Sequence, residues 1–427
     1  MIIHVVQPGD TIYDIANEYN TTPQKIITDN ELRNPNELVV GQTLVILVPD
    51  QVHTVQPGDT LENIASRYNT TVVELLQYNP QIDYADDIFP GDQITISLDQ
   101  DKRGPISVLG YAYPNIDRTV LMKTLPYLTY LTIFNYMVTP DGGLIDINDE
   151  ELIRIARDYG VAPLMLISNI GDGGSFDSEL VSQILNNPDA QNNLIENILR
   201  IMQEKQYTGL DIDFEYIPPE DREEFINFVQ NITDRLNQEG YSVMTALAPK
   251  ISADQAGLLY EAHDYGALGE VSDRDLLMTY EWGYTYGPAM AVAPINRVRE
   301  VLEYAVTEIP RDKIFMGIPN YGYDFILPYV QGVSKANSLS NVEAAQLAAD
   351  VGASIVYDEE AQSPYFIYHD NQGREHEVWF EDARSIKAKL DLFSEYGFEG
   401  IGYWNIMRYF PQNWLVLSSL YDIDKVL

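Results

Sequence analysis

The stretch Gly209-Leu210-Asp211-Ile212-Asp213-Phe214-Glu215-Tyr216 limits what this chain can become more than any other. Along a strand, successive side chains point to opposite faces. Asp211, Asp213 and Glu215 therefore share one face, and Leu210, Ile212, Phe214 and Tyr216 share the other. A solvated edge strand could carry such a pattern. The fully apolar opposite face, with strand-like runs before and after it, argues against that. In a closed barrel the apolar set packs on outer helices and the acids point inward, where Val, Ile and Leu are usual. Three carboxylates there are costly unless hydrogen-bonded, partly protonated or used.

The rest of the chain supplies such a barrel. From Ile106 onward, short apolar β-type runs alternate with amphipathic helical stretches. The expected strands are Ser107–Tyr113, Tyr130–Tyr136, Pro163–Asn169, Gly209–Tyr216, Ser242–Ala248, Leu276–Tyr280, Ile314–Pro319 and Gly400–Asn405. Helices are expected at Asp149–Tyr159, Asp189–Glu204, Pro219–Glu239 and Asp382–Tyr396. Eight βα units point to an α/β fold, a (β/α)8 TIM barrel over 106–427. A doubly wound open sheet is the alternative, but no Gly-x-Gly-x-x-Gly turn follows any strand. The connection after strand seven is too long for a simple loop. It holds a hairpin pattern, Tyr365–Tyr368 and Glu375–Phe380 about Asp370-Asn371-Gln372-Gly373. A small α+β insertion, about 326–378, is expected between strand seven and helix seven, walling one side of the barrel mouth.

Barrel active sites lie at the C-terminal ends of the strands, and Glu215 is the last acid of its strand. Crowded like charges raise at least one pKa and keep a carboxyl protonated near neutrality. A proton-loaded Glu beside ionised Asp is what glycoside cleavage needs. Glu215 is the candidate general acid/base. Asp213 would orient substrate and carry negative charge, and Asp211 would share a hydrogen bond or proton with it from below. Spacing leaves two routes open: Asp213 as direct nucleophile, or attack by a 2-acetamido group of the substrate itself.

The N-terminal hundred residues repeat. Val6-Gln7-Pro8-Gly9-Asp10-Thr11 recurs as Val55-Gln56-Pro57-Gly58-Asp59-Thr60, and Asn30 maps to Asn79. Each unit, 1–48 and 51–98, reads as strand, helix, helix, strand. Asp10 or Thr11 caps the first helix, and Thr22 before Pro23 caps the second. Units of this size have small cores and suit binding more than catalysis. The segment 99–105, polar and ending in Gly-Pro, reads as a linker.

Charge narrows the partners. With 26 Lys+Arg against 65 Asp+Glu the net charge is −39. Nucleic acid and anionic membrane surfaces would repel such a chain. No apolar run is long enough to span a bilayer, and the first residues lack the pattern of a secretory signal. There is no cysteine, hence no thiolate chemistry. His4, His53, His263, His369 and His376 have no metal-type spacing. No metal or nucleotide cofactor is expected. A neutral sugar polymer is compatible with the charge.

Both N-terminal units resemble the LysM module, through the Gly-Asp-Thr turn, the Ile-Ala helix and the second-helix Asn. The resemblance implies binding of N-acetylglucosamine-containing glycans, with Gly9, Asp10, Thr11 and Asn30 as candidate residues, and Gly58, Asp59, Thr60 and Asn79 in the second unit. The carboxylate strand is similar to the Asp-Gly-x-Asp-x-Asp-x-Glu signature of family 18 glycosidases, with Thr208 in place of the first Asp. That family works with substrate assistance. The resemblance implies that Glu215 protonates the leaving oxygen and Asp213 holds the acetamido nitrogen while its carbonyl oxygen attacks C1. Met278-Thr279-Tyr280-Glu281 resembles the family's Met-x-Tyr-Asp, so Tyr280 would donate to the acetamido carbonyl and Glu281 would replace an Asp. Gly402-Tyr403-Trp404 makes Trp404 the floor of the reacting sugar's subsite. Tyr111, Trp282, Asn320 and Tyr321 are further candidate substrate contacts. Strand three matches less well, as Ser168-Asn169-Ile170-Gly171 followed by Asp172-Gly173-Gly174.

Two LysM-like units before such a barrel resemble spore cortex-lytic enzymes. This implies an N-acetylglucosaminidase acting on peptidoglycan fragments at the coat or cortex surface of a bacterial spore. A chitinase on the same scaffold is the alternative activity, and a non-catalytic wall-binding lectin or coat protein the alternative of another class.

Overall fold

Eight parallel strands close on themselves in the computed structural model, which describes residues 1–82, 88–171 and 173–427. Asp172, in the glycine-rich loop after strand three, lies outside the described residues. The barrel strands, in chain order, are Pro105–Ala112, Tyr130–Val138, Ala162–Ser168, Gly209–Asp213, Ser242–Leu247, Arg274–Leu277, Ile314–Pro319 and Gly400–Trp404. Each pairs in parallel with its neighbours, and strand eight pairs with strand one to complete the ring. The TIM barrel expected from the alternation of runs is therefore the fold.

Two strands stop three residues short of the expected ends. Strand four ends at Asp213, not Tyr216, and strand six ends at Leu277, not Tyr280. Phe214 still packs outward on Phe225 and Phe228 of the helix Arg222–Asn237. Glu215 and Tyr280 thus sit on the loops above the ring rather than in its ladder.

Local chemistry explains the outer helices. In Pro188–Lys205, proline occupies the first turn and the Asn187 side chain accepts from the Asp189 and Ala190 amides, satisfying otherwise orphaned N–H groups. Its face of Leu194, Ile198, Leu199 and Met202 is buried against the barrel. Inside the ring, Leu109, Tyr130, Leu164, Leu166, Leu276 and Phe315 make an apolar floor.

The insertion is a five-stranded antiparallel sheet with the helix Asn341–Val351. Its hairpin pairs Ser363–His369 with Glu375–Trp379. The sheet begins at Gly322, directly after strand seven, so Tyr323 is part of it. A Cβ on Gly322 would stand 2.4 Å from the Trp379 carbonyl oxygen; only glycine allows that approach.

The two N-terminal units fold alike. The first is Ile2–Val5, Ile12–Glu18, Pro23–Asp29 and Thr43–Ile46; the second is Pro49–Thr54, Leu61–Tyr68, Val72–Tyr78 and Gln93–Leu98. Both are docked on the barrel. In the first, Thr43 donates to Gln412 (2.7 Å) and its carbonyl accepts from the same side chain (2.6 Å). In the second, Gln77 donates to the Pro126 carbonyl (2.8 Å) and Tyr127 donates to the Gln77 carbonyl (3.1 Å). The segment 99–105 is pinned rather than loose: Arg103 pairs with Asp391, and its amide donates to the Leu420 carbonyl. Among the described residues no helix is long and apolar enough to cross a membrane.

Candidate active site

Strand four lifts Asp211 and Asp213 into the upper barrel, both almost fully buried (0% and 6% exposed). Asp211 accepts from the Tyr111 hydroxyl at 2.7 Å and from Thr132 at 3.5 Å, all through Oδ2. Its Oδ1, and Oδ1 of Asp213, have no hydrogen-bond partner. Buried polar atoms normally are paired, and an unpaired carboxylate oxygen favours the protonated form of its acid. Burial pushes Asp211 up to about 7, against the hydrogen bonds from Tyr111 and Thr132. Asp213 is held well above the carboxylate range, by burial first and then by the charges of Glu215 and Asp211. Glu215, half-buried at the barrel mouth, is pushed up to about 7 by burial and then by Glu281. The cluster therefore holds protons near neutral pH, which is what a general acid requires.

The position of Glu215 is set by its backbone. Asn169, fully buried after strand three, accepts from the Glu215 amide and donates to its carbonyl, both at 2.9 Å. One residue earlier, the Phe214 carbonyl accepts from His263 at 3.0 Å. The other ring nitrogen of His263 accepts from the Ala248 amide at 2.9 Å, so the ring's proton is on Nε2. Burial lowers His263 to about 4, and the ring is neutral at working pH. Tyr216 then takes a positive φ of 55° and its carbonyl accepts from Ser178. These bonds turn the chain out of the sheet at the acid. Sequence reading missed Asn169 and His263 as positioning groups. The available signal for Asn169 was an amide side chain at the C-terminal end of a barrel strand.

Two adjoining clefts open at the mouth. The first, about 290 Å³, is lined by Asp213, Glu215, Tyr280, Glu281, Tyr111, Tyr113, Phe134, Met278 and Trp404, with Phe176 and Ile170 at its side. Trp404 meets Tyr111, Tyr113 and Phe134 edge-on, with centroids 5.2–6.3 Å apart. This aromatic wall offers flat apolar area beside carboxyl groups, as a sugar ring needs. Tyr280 is buried, and that burial, followed by the charge of Asp213, holds its hydroxyl protonated far above neutral pH. Its ring rests on Gly317 of strand seven, where a Cβ would come within 2.8 Å of Cε1. The second cleft, about 410 Å³, shares Tyr113, Glu281 and Trp404 and adds Tyr321, Tyr323, Ser338 and Arg408. Glu281 stands between the two with φ 66°. It accepts from Tyr321 and from Tyr323 (3.1 Å), while burial nonetheless raises its pKa.

Other expected contacts fall elsewhere. Asn320 is buried and donates to the Asn405 and Arg408 carbonyls at 3.0 and 2.8 Å. It holds the loop after strand eight and lines neither cleft. Trp282 packs on the outer core and lines neither cleft.

In the repeated units the correction is larger. Asn30 and Asn79 are buried. Asn30 bonds the Ile26 carbonyl and both backbone groups of Val45; Asn79 bonds the Leu75 carbonyl and both backbone groups of Thr95. They tie the second helix to the last strand, so their amides are spent on the fold rather than offered to a glycan. Thr11 and Thr60 cap the first helices. Asp10 and Asp59 accept from His4 and His53 and from the Gln7 and Gln56 amides. Gly9 and Gly58 supply the positive φ of the turn (93° and 91°), each with open space around it.

Comparison with known proteins identifies the family of the barrel and of the repeated units. Residues 119–408 match the glycosyl hydrolases family 18, and residues 4–47 and 53–97 match the LysM domain. The cortical fragment-lytic enzyme of Bacillus subtilis (strain 168) is 41% identical over 447 residues, covering 100% of this chain and 99% of its own. The crystal structure of the Bacillus megaterium QM B1551 spore cortex-lytic enzyme SleL is 41% identical with a TM-score of 0.85, covering 100% of this chain and 99% of its own. The Bacillus cereus SleL structure is 39% identical with a TM-score of 0.84, covering 99% and 98%. The chain belongs to family 18 of the glycosyl hydrolases and carries two LysM domains ahead of its barrel.

Proposed function

We propose that this protein is a spore cortex fragment-lytic N-acetylglucosaminidase, hydrolysing N-acetylglucosaminyl bonds of peptidoglycan fragments with retention at C1. Its LysM domains hold the same polymer and raise the local concentration of bonds at the barrel mouth. The observation that carries the chemistry is the pair Asp213–Glu215. These acids are buried or half-buried, crowded and short of hydrogen bonds, beside the aromatic wall of Trp404. The full-length likeness to cortical fragment-lytic enzymes supports the substrate.

The steps follow from the placement of groups. Glu215 gives its proton to the glycosidic oxygen as the C1–O bond breaks. The substrate's acetamido oxygen forms the new bond to C1, giving a cyclic oxazolinium. Asp213 passes the proton it holds in the free enzyme to Asp211 below, accepts the acetamido N–H, and offsets the positive ring with the negative charge it has gained. Tyr280, a hydroxyl that stays protonated, donates to the acetamido oxygen and aligns it. Water then attacks C1 from the side the leaving group vacated, delivering its proton to Glu215 and restoring the acid. Asp211 sits beneath and exchanges charge with Asp213. Trp404 stacks under the reacting sugar and Tyr111 orients Asp211, while Glu281 and Tyr321 contact the neighbouring sugar. A location at the spore coat or cortex surface fits a substrate found there.

The test is mass spectrometry of products from cortex peptidoglycan pre-cut by a lytic transglycosylase, with wild type and Glu215→Gln in parallel. New reducing ends at N-acetylglucosamine from wild type alone are the expected result. Cleavage of chitin oligomers without cleavage of cortex fragments would replace the substrate by chitin. Binding without cleavage of either would make the protein a lectin.

A further inference from the structure

Arg408 stands in the second cleft, and among the described residues lining either cleft it is the sole cation. The setting makes this informative. The chain has 39 more acids than bases, and guanidinium groups elsewhere find them readily, as Arg299 does with Glu395 and Arg384 with Asp382. Its charge reaches Glu343 of the insertion and helps lower that acid's pKa, yet no carboxylate lies within ion-pair distance of Arg408 among the described residues. Among the described residues, its side chain makes one hydrogen bond, from Nη1 to Ser338 Oγ of the insertion, at 3.0 Å. The Arg408 backbone is fixed as well, its carbonyl accepting from the buried Asn320 amide. The residue is thus anchored at both ends, with the rest of its guanidinium fork lacking a protein acceptor. The surrounding walls are Tyr113, Tyr323 and Trp404, which suit a sugar ring.

An acidic glycan meets Asp213 and Glu215 in the adjoining cleft and Glu281 on the wall of this one, and the guanidinium fork is the lining group that matches a carboxylate in both charge and shape. We propose that Arg408 receives a carboxylate carried by the sugar adjacent to the one being cleaved, so that the enzyme prefers acidic glycans to neutral ones. This rests on the reading of the substrate as peptidoglycan. There N-acetylglucosamine alternates with a sugar bearing a 3-O-lactyl ether, so the neighbour on either side of the reacting residue carries that group. The planar fork meets a carboxylate with two parallel hydrogen bonds. The carboxylate is either the lactyl group's own or belongs to a peptide joined to it.

The experiment measures kcat/KM for wild type, Arg408→Gln, Arg408→Lys and Ser338→Ala. The substrates are an alternating tetrasaccharide with free lactyl carboxylates, its carboxamide, and the peptide-bearing form. Wild type should prefer acid over amide by about tenfold or more, the usual size of a hydrogen-bonded charge contact. That ratio should fall toward one in Arg408→Gln, return only in part in Arg408→Lys, which keeps the charge but not the fork, and weaken in Ser338→Ala. It should also shrink as salt rises. A preference confined to the peptide-bearing form would support Arg408 with the peptide as the source. An equal ratio in wild type and Arg408→Gln, or no preference in wild type, would overturn the assignment. If wild type cleaves a neutral chito-oligosaccharide and none of these substrates, the peptidoglycan reading falls. Calorimetric binding of the acidic tetrasaccharide to Glu215→Gln, with and without Arg408→Gln, then decides Arg408 separately: equal affinities overturn it.

Discussion

Two groups of acids in this molecule are treated in opposite ways. In the LysM turns, Asp10 and Asp59 each accept several hydrogen bonds from their own unit: a histidine, a backbone amide and, for Asp59, Arg67 as well. The bonds favour the ionised form, and Asp59 is lowered to about 2, the Gln56 amide having the largest effect. On barrel strand four, Asp211 and Asp213 are buried with oxygens left over, and with Glu215 they are pushed upward by burial and mutual repulsion. Acids that hold a turn are satisfied and charged. Acids that handle protons are left short of partners and kept from ionising. The difference is one of supply of donors, not of residue type.

The comparison breaks most sharply at Glu215. Replacing it by Gln keeps the shape and removes the transferable proton, so kcat on a chromogenic chitobioside should fall by about 10²–10⁴-fold or more while binding persists. A wild-type rate would strip Glu215 of its role. The next effect should come from Asn169→Ala, which removes both bonds holding the Glu215 backbone. Misplacing the acid by a fraction of an ångström to one ångström should lower kcat by about 10–10²-fold, with KM changed little. A KM-only effect would mean that Asn169 serves binding instead.

A smaller change sharpens the electrostatic half. Glu281→Gln removes the negative charge that helps raise Glu215 and keeps an acceptor for Tyr321 and Tyr323. The acid must be protonated to act, so the kcat/KM profile should lose activity as pH rises through about 7 in wild type. In the variant this limb should move to lower pH. An upward shift or none would remove Glu281 from the control of the acid.

The smallest effects are in stability, with opposite signs in the two regions. Asp211 has a folded value raised to about 7 from 3.8. The native state then binds a proton the unfolded chain releases, and stability declines as pH rises between those values. Asp211→Asn should therefore raise Tm by a few degrees at pH 8, with the gain vanishing near pH 4. Asp59 has a folded value lowered to about 2. Its contribution is present above pH 4 and lost as pH falls through 2, so Asp59→Asn should lower Tm at pH 7 and have little effect near pH 2. Thermal melts across pH read both, and equal slopes for the two variants would dissolve the contrast.

Much of this was legible along the chain. The 2-residue alternation of strand four and the eight apolar runs were enough to place a barrel and its inward acids. The turn and cap residues of the repeats were legible too, because Thr11 and Thr22 cap helices through bonds within their own neighbourhood, and Thr60 and Thr71 do the same in the second unit. What failed to show were partners distant in sequence. Asn30 and Asn79 looked like polar residues available for a glycan, yet each closes on a strand 15 or 16 residues away. Strand four looked three residues longer because nothing near it reports that Asn169 and His263 draw its end out of the ladder. The docking of the two LysM domains shows the same limit. Their repeated residues build the same fold, while Thr43 in one and Gln77 in the other choose different faces for the barrel.

By itself, then, the sequence determined the periodicities and local caps that make strands, helices and turns, and the chemical type of the site: three acids on one face of one strand, with aromatics at the strand ends. These are contact rules of short range, obeyed wherever the segment lies. Only the tertiary structure decided which acid oxygens go without donors, how far each pKa climbs, where strand four ends, and that Arg408 faces the second cleft with no carboxylate within ion-pair distance among the described residues. Those outcomes depend on burial and on groups brought together from separate strands, and the free energy of a charge in a folded protein is set by that surrounding.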